Sequence, residues 1–200
     1  MNPPEVVIVA NGGANIASLQ FALERLDVPS LVSGDPGAIG RATHVILPGV
    51  GAAADAMERL RRGGLHDLIP TLRQPVLGIC LGMQLLFESS DEGNTGCLGI
   101  IPGRATRFTE AQGRPVPHIG WNTVEIERDS PLLAGMRRDD YAYFVHSYAL
   151  PVTSATVAST WYGAPFTACV EWGNFFGAQF HPERSAAVGA RLLRNFLAIA

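Results

Sequence analysis

The stretch Pro75-Val76-Leu77-Gly78-Ile79-Cys80-Leu81-Gly82-Met83-Gln84 decides how this chain folds. Residues 75–79 form a short apolar run opened by proline and read as a buried strand. Residues 80–88 read as a helix. Where the two meet, Gly78-x-Cys80-x-Gly82 puts a glycine two positions either side of a cysteine. A sharp strand-to-helix turn strains the backbone of its central residue, and side chains two positions away would clash, so glycine stands at both. Such a turn aims the Cys80 thiol out of the carboxyl end of a sheet, the edge where open α/β folds place their ligands. Amide N–H groups opening the helix face the same point and favour a thiolate or a developing oxyanion. Cys80 therefore reads as a nucleophile rather than the small buried hydrophobe that a free cysteine more often is. Cys97 and Cys169 have no such setting.

Working upstream, residues 6–10 and 44–47 are apolar, β-branched runs, and 30–32 is a weaker one. Between them Ile16, Leu19, Leu23 and Leu26 recur at helical spacing with Asn15 as N-cap, and Pro29 ends that helix. Residues 52–60 are helix-prone and stop at Gly63-Gly64. Strands alternating with helices predict a mostly parallel central sheet flanked by helices, an α/β fold of flavodoxin-like type. Downstream the pattern changes. Residues 105–108, 123–126, 141–150, 155–162, 166–171 and 175–180 are strand-like and read as antiparallel additions to the sheet. A final helix over 186–199 buries Val188, Leu192, Leu193 and Phe196. No linker or repeat interrupts the chain, so residues 1–200 read as one domain.

Composition narrows the classes of function. Charged residues make up only 16% of the 200 residues, with a formal net charge of −3. That leaves no basic footprint for nucleic acid. No apolar run approaches the roughly 18 residues of a membrane span, and the N-terminus lacks the basic region of a signal peptide. The odd, widely spaced cysteines fit neither a metal site nor a disulfide framework, which predicts a cytoplasmic protein with reduced thiols. The low charge content implies either a large core or apolar surface covered by a partner.

A cysteine nucleophile needs a base, and the base an orienting group. His181-Pro182-Glu183 follows the last strand-like run, so its histidine and carboxylate can share one edge of a site. His44 and His66 flank element ends and read as surface residues.

Together, Gly78-Ile79-Cys80-Leu81-Gly82-Met83-Gln84 and His181-Pro182-Glu183 resemble the class I (triad) glutamine amidotransferases. Four segments narrow the likeness to the branch of glutaminase subunits that serve imidazole glycerol phosphate synthase. They are Pro48-Gly49-Val50-Gly51, Pro117-His118-Ile119-Gly120-Trp121-Asn122, Phe144-Val145-His146-Ser147-Tyr148 and Phe180-His181-Pro182-Glu183-Arg184-Ser185. The resemblance runs from about residue 6 to the C-terminus. It implies that Cys80 is the nucleophile, His181 the acid/base and Glu183 the orienting carboxylate. It implies an oxyanion hole from the backbone N–H groups of Val50 and Leu81, and a glutamine grip from Gly51, Gln84, Ser147 and Tyr148. No metal or cofactor is implied.

The implied partner is a (β/α)8-barrel cyclase. It would receive ammonia through a channel and use it on phosphoribosyl-formimino carboxamide ribotide (PRFAR), giving imidazole glycerol phosphate and AICAR in histidine biosynthesis. The face meeting it is expected to carry Asn11, Asn15, His118, Trp121, Tyr143 and Arg184, with His146 nearby and the 117–122 stretch as a loop. Arg184 stands where many relatives carry lysine. One segment departs from the family. Its usual opening resembles Asp-Tyr-Gly-x-Gly-Asn, whereas this chain reads Ala10-Asn11-Gly12-Gly13-Ala14-Asn15. Local docking is expected to change there, and glutaminase chemistry is not. The alternatives are a glutaminase serving pyridoxal phosphate, anthranilate or aminodeoxychorismate synthesis, against which the 117–122 segment argues, and an α/β binding module with an inert Cys80.

Overall fold

In the computed structural model, which describes residues 5–12 and 16–200, the central sheet has eight strands. Its first five are parallel and run, in spatial order, Ser30–Ser33, Val6–Val9, His44–Gly49, Val76–Cys80 and Phe175–Ala178. Three antiparallel strands follow, Pro165–Trp172, Thr156–Trp161 and Glu125–Ile126. The mostly parallel α/β reading therefore holds.

Alternation along the strands explains why both faces are covered. Val6 and Ile8 join one apolar cluster, and Val7 and Val9 join the other. The helices Ile16–Glu24 and Ala186–Leu197 bury their apolar stripes in the first cluster, the latter through Val188, Leu192, Leu193 and Phe196. The helix Ala53–Arg62 fills the second through Ala53, Ala56, Met57 and Leu60. A sheet dressed on both sides needs the continuous β-branched runs seen in the sequence.

Several expectations are corrected. The helix after Cys80 spans only Leu81–Leu85, and Phe87–Ser90 is a strand. Its pairing with Ile101–Arg107 and the full burial of Phe87 override the local helical pattern. The downstream strands do not all extend the central sheet. Among the described residues, His118–Thr123 pairs only with Tyr141–His146, and a four-stranded sheet holds Tyr148–Ala149, Ile101–Arg107, Phe87–Ser90 and Thr95–Gly96. The 117–122 stretch is thus largely strand rather than loop. His44 is buried, its Nε2 2.9 Å from the Ile199 carbonyl, and His66 is half-buried in the short helix Leu65–Leu68. Asn15, expected as an N-cap and interface residue, lies outside the described residues.

Candidate active site

Cys80 ends the strand Val76–Cys80 with φ +53° and ψ −113°, a region that L residues seldom occupy. The glycines around it are demanded by close approach. A Cβ on Gly78 would lie 2.7 Å from the backbone of Gly82 and Met83, and one on Gly49 would lie 2.7 Å from the Gly82 nitrogen. On Gly82 it would overlap the Leu47 carbonyl. The elbow is therefore jammed against the neighbouring strand His44–Gly49 as well as folded tightly on itself. This packing carries Pro48-Gly49-Val50-Gly51 to the sulfur.

The turn opens into a cleft of about 400 Å³, a size suited to a small metabolite. Its walls include Cys80, His181 and Glu183. They also include Val50 and Leu81, and the four residues expected to grip a substrate, Gly51, Gln84, Ser147 and Tyr148. Segments far apart in the chain thus meet at the carboxyl edge of the parallel strands.

Glu183 Oε1 lies 2.9 Å from His181 Nδ1, with both side chains almost closed to solvent. The carboxylate accepts, so Nδ1 carries the proton and Nε2 is the nitrogen left for exchange. Among the described residues Nε2 makes no hydrogen bond of ordinary geometry, while Cys80 lies near enough to act on the ring electrostatically. Burial favours the neutral ring, yet the nearby Cys80 and the hydrogen-bonded Glu183 outweigh it and raise the His181 pKa well above the ordinary imidazole value. His181 is also tied to the strand Tyr141–His146. His181 N donates to the Tyr143 carbonyl at 3.0 Å, and Tyr143 N donates to Ser185 Oγ at 2.9 Å.

Gln84 has a different setting from the one expected. Its Nε2 donates to the Tyr148 carbonyl and to Gln179 Oε1, both at 2.9 Å, so the amide nitrogen is spent inside the protein.

Two residues of the site escape a reading of the sequence. Glu92 lines the cleft, and its Oε2 accepts from Ala53 N at 2.7 Å, capping the helix Ala53–Arg62. Gln179 is fully buried, with Nε2 3.6 Å from Cys80 Sγ. For Gln179 the available signal is a polar residue inside the apolar run that leads to His181. Glu92 lies in the polar run Ser89-Ser90-Asp91-Glu92, where nothing singles it out.

The expected partner face divides. Trp121 and Arg184 are exposed and Tyr143 is half-buried, with the Trp121 and Tyr143 rings edge-on at 5.9 Å. Asn11 and His118 are buried at 3% and 4% exposure, so neither offers its side chain to a partner. Asn11 lies under the helix Ala53–Arg62, where its carbonyl accepts from Arg59 Nε. His118 points inward from its strand, stacked between Phe144 and Tyr162. The outward face of that hairpin instead shows Ile119, Trp121, Tyr141 and Val145.

The family model "Glutamine amidotransferase class-I" matches residues 14–200. The chain is 54% identical over 193 residues to "Imidazole glycerol phosphate synthase subunit HisH" of Xanthomonas euvesicatoria, covering 96% of each. It is 53% identical, with the same coverage, to the HisH of Xylella fastidiosa strain Temecula1. Among solved structures, a putative GMP synthase protein from Thermoplasma acidophilum superposes with TM-score 0.75 at 17% identity, covering 98% of this chain and 94% of that one. The structure of PurLQS from Thermotoga maritima gives 0.73 at 18% identity, covering 98% of each. These distant likenesses concern the fold.

Proposed function

Because the chain belongs to the class I glutamine amidotransferases, in the HisH branch, we propose that it is the glutaminase subunit of an imidazole glycerol phosphate synthase, with Cys80, His181 and Glu183 as its triad. The observation that carries this reading is the meeting of Cys80 with the His181–Glu183 pair in one cleft, beside Val50, Leu81, Gly51, Gln84, Ser147 and Tyr148.

In the reaction, His181 Nε2 takes the Cys80 proton, and the sulfur attacks the side-chain amide carbon of glutamine. The carbonyl oxygen becomes an oxyanion, met by the Leu81 N–H and the Val50 N–H. Its collapse breaks the C–N bond, and His181 gives its proton to the departing nitrogen, which leaves as ammonia. A γ-glutamyl thioester remains. Water attacks it while His181 accepts a proton, and glutamate leaves with return of the proton to sulfur. Glu183 keeps the ring in the tautomer these transfers need. Glu92 is the one cleft carboxylate, among the described residues, besides the one committed to His181, and so suits the α-ammonium of glutamine.

Gly51 has φ +88° and open space where a Cβ would stand, so the peptide beside Val50 can turn cheaply. A turn there switches the oxyanion donor on when the partner is loaded. The partner is a (β/α)8-barrel cyclase that takes up the ammonia. Its landing surface is the apolar face of Ile119, Trp121, Tyr141 and Val145, with Arg184 supplying a planar, charged contact for a carboxylate.

The test is glutamine hydrolysis with and without the cyclase and its ribotide ligand. Stimulation by the loaded cyclase supports the reading; fast turnover of the isolated chain sinks the gating. A glutamine-analogue chloroketone should label the parent protein and spare Cys80→Ala. Equal labelling of both removes Cys80 as nucleophile.

A further inference from the structure

The reaction leaves one buried polar side chain at the sulfur without a task. Gln179 directly follows the strand Phe175–Ala178, is fully buried, and has its Nε2 3.6 Å from Cys80 Sγ. Which end of that carboxamide is nitrogen follows from its neighbours. A peptide carbonyl only accepts, so Gln84 must turn its NH2 toward the Tyr148 oxygen. The second hydrogen of that NH2 goes to Gln179, which must answer with oxygen. The Gln179 NH2 is thereby left facing the sulfur.

The same carbonyl orders a second branch. His146 Nδ1 donates to the Tyr148 oxygen at 2.8 Å, which makes His146 Nε2 an acceptor for His118 Nδ1 at 3.2 Å. His118 Nε2 then accepts from Asn122 Nδ2 at 3.4 Å. Burial lowers the pKa of both histidines, so both are neutral near pH 7 and this polarity is preserved.

The sulfur sees opposite partners. In the thiol form its proton points to the Val145 carbonyl, 3.8 Å away. Once ionised, that carbonyl repels it, and the attractive neighbours are the Gln179 N–H and the protonated His181 ring. We infer that Gln179 holds the thiolate of Cys80 through its side-chain N–H, and that the Tyr148 backbone carbonyl, acting through Gln84, sets the direction of that N–H. This deepens the glutaminase reading and rests on it.

The titratable and charged groups lining the cleft with the sulfur are His181 with Glu183, His146 on the strand Tyr141–His146, Tyr148, and Glu92 and Arg184. Gln179→Met alters none of them. It keeps the length of the side chain and deletes both the N–H at the sulfur and the oxygen that accepts from Gln84, whose NH2 keeps the Tyr148 carbonyl. The experiment measures the rate at which iodoacetamide alkylates Cys80 in the intact chain against pH, with the modified peptide identified by mass. Gln179→Met should raise the midpoint by about one pH unit, corresponding to about a tenfold loss of thiolate below the midpoint. With the cyclase present, kcat for glutamine should fall about tenfold, with the smaller effect on KM. An unchanged midpoint in folded Gln179→Met overturns the inference and leaves the glutaminase reading standing. Failure of the parent Cys80 to alkylate or turn over glutamine strikes the reading itself. Should Gln179→Met not fold, the unaltered protein answers. The side-chain amide resonances of Gln179 should shift with the Cys80 midpoint and lose that shift in Cys80→Ala. Resonances indifferent to pH in the unaltered protein overturn the inference.

Discussion

Glu183 Oε1 and His181 Nδ1 stand 2.9 Å apart and almost out of reach of solvent, so the carboxylate dictates which imidazole nitrogen carries the proton. Glu183→Gln keeps the shape, but its amide can donate to Nδ1 and stabilise the wrong tautomer. We expect kcat to fall about 10⁴-fold, as in other triads deprived of the orienting carboxylate. Cys80→Ala should leave no measurable turnover, because nothing else attacks. Glutamate release under saturating glutamine checks both. Equal and complete loss would mean that Glu183 does more than orient the ring.

The two neutral histidines predict sensitivity to acid. Burial lowers the pKa of His118 to about 4 and of His146 to about 3, against 6.5 for a free ring. A base with a depressed folded pKa contributes stability that is present above its unfolded value and lost as pH falls through the folded one. Between about pH 6 and 4.5 the unfolded chain binds up to two protons that the native state refuses. The pair then steepens the loss of stability by up to about 2.7 kcal/mol per pH unit. His118→Phe keeps a ring between Phe144 and Tyr162 and removes one titration. Its slope should be shallower by about 1.4 kcal/mol per pH unit, read from urea unfolding across that range. An unaltered slope would show that His118 is not held neutral.

Gly82 tolerates no side chain. A Cβ there would overlap the Leu47 carbonyl, a backbone atom of a central strand that cannot swing away. Gly82→Ala should cost more than about 3 kcal/mol in denaturant unfolding or prevent folding altogether. Gly96→Ala meets open space and serves as the control, with an expected effect under about 1 kcal/mol. A mild effect of Gly82→Ala would mean that the elbow yields.

Trp121 is 52% exposed on the apolar hairpin face and rests edge-on against Tyr143. Trp121→Ala should weaken binding to the cyclase by about 2 kcal/mol or more, as expected for a central aromatic anchor. The stability of the isolated chain should change little. Calorimetric titration against the cyclase tests this, and unchanged affinity would move the docking surface elsewhere.

The site is legible in the sequence where local backbone geometry and chemistry coincide. Gly78, Cys80 and Gly82 announce a turn that few other sequences need, and His181 with Glu183 supplies its chemical complement. The parallel half of the sheet is equally plain, because strands buried on both faces must be apolar throughout. Taking the 117–122 segment for a loop passes over its strand alternation. In the strand, His118, Gly120 and Asn122 share one face and Ile119 and Trp121 the other, which buries His118 and exposes Ile119. The strand Phe87–Ser90 is hidden for another reason: it owes its conformation to pairing with residues more than ten positions away. Gln179 stands out only as a polar residue in an apolar run, and its task is hidden because it lies in Gln84 and Tyr148, which reach it only through the fold.

The oxygen that orders both hydrogen-bond branches belongs to the main chain of Tyr148. Substituting residue 148 changes the side chain and leaves that carbonyl in place. A scan that replaces side chains one at a time would therefore register Gln84, Gln179, His146 and His118 as separate, modest contributors. It would pass over the atom from which all four take their orientation. Exposing it calls for chemistry on the peptide link itself, such as a backbone ester whose carbonyl is a poorer acceptor.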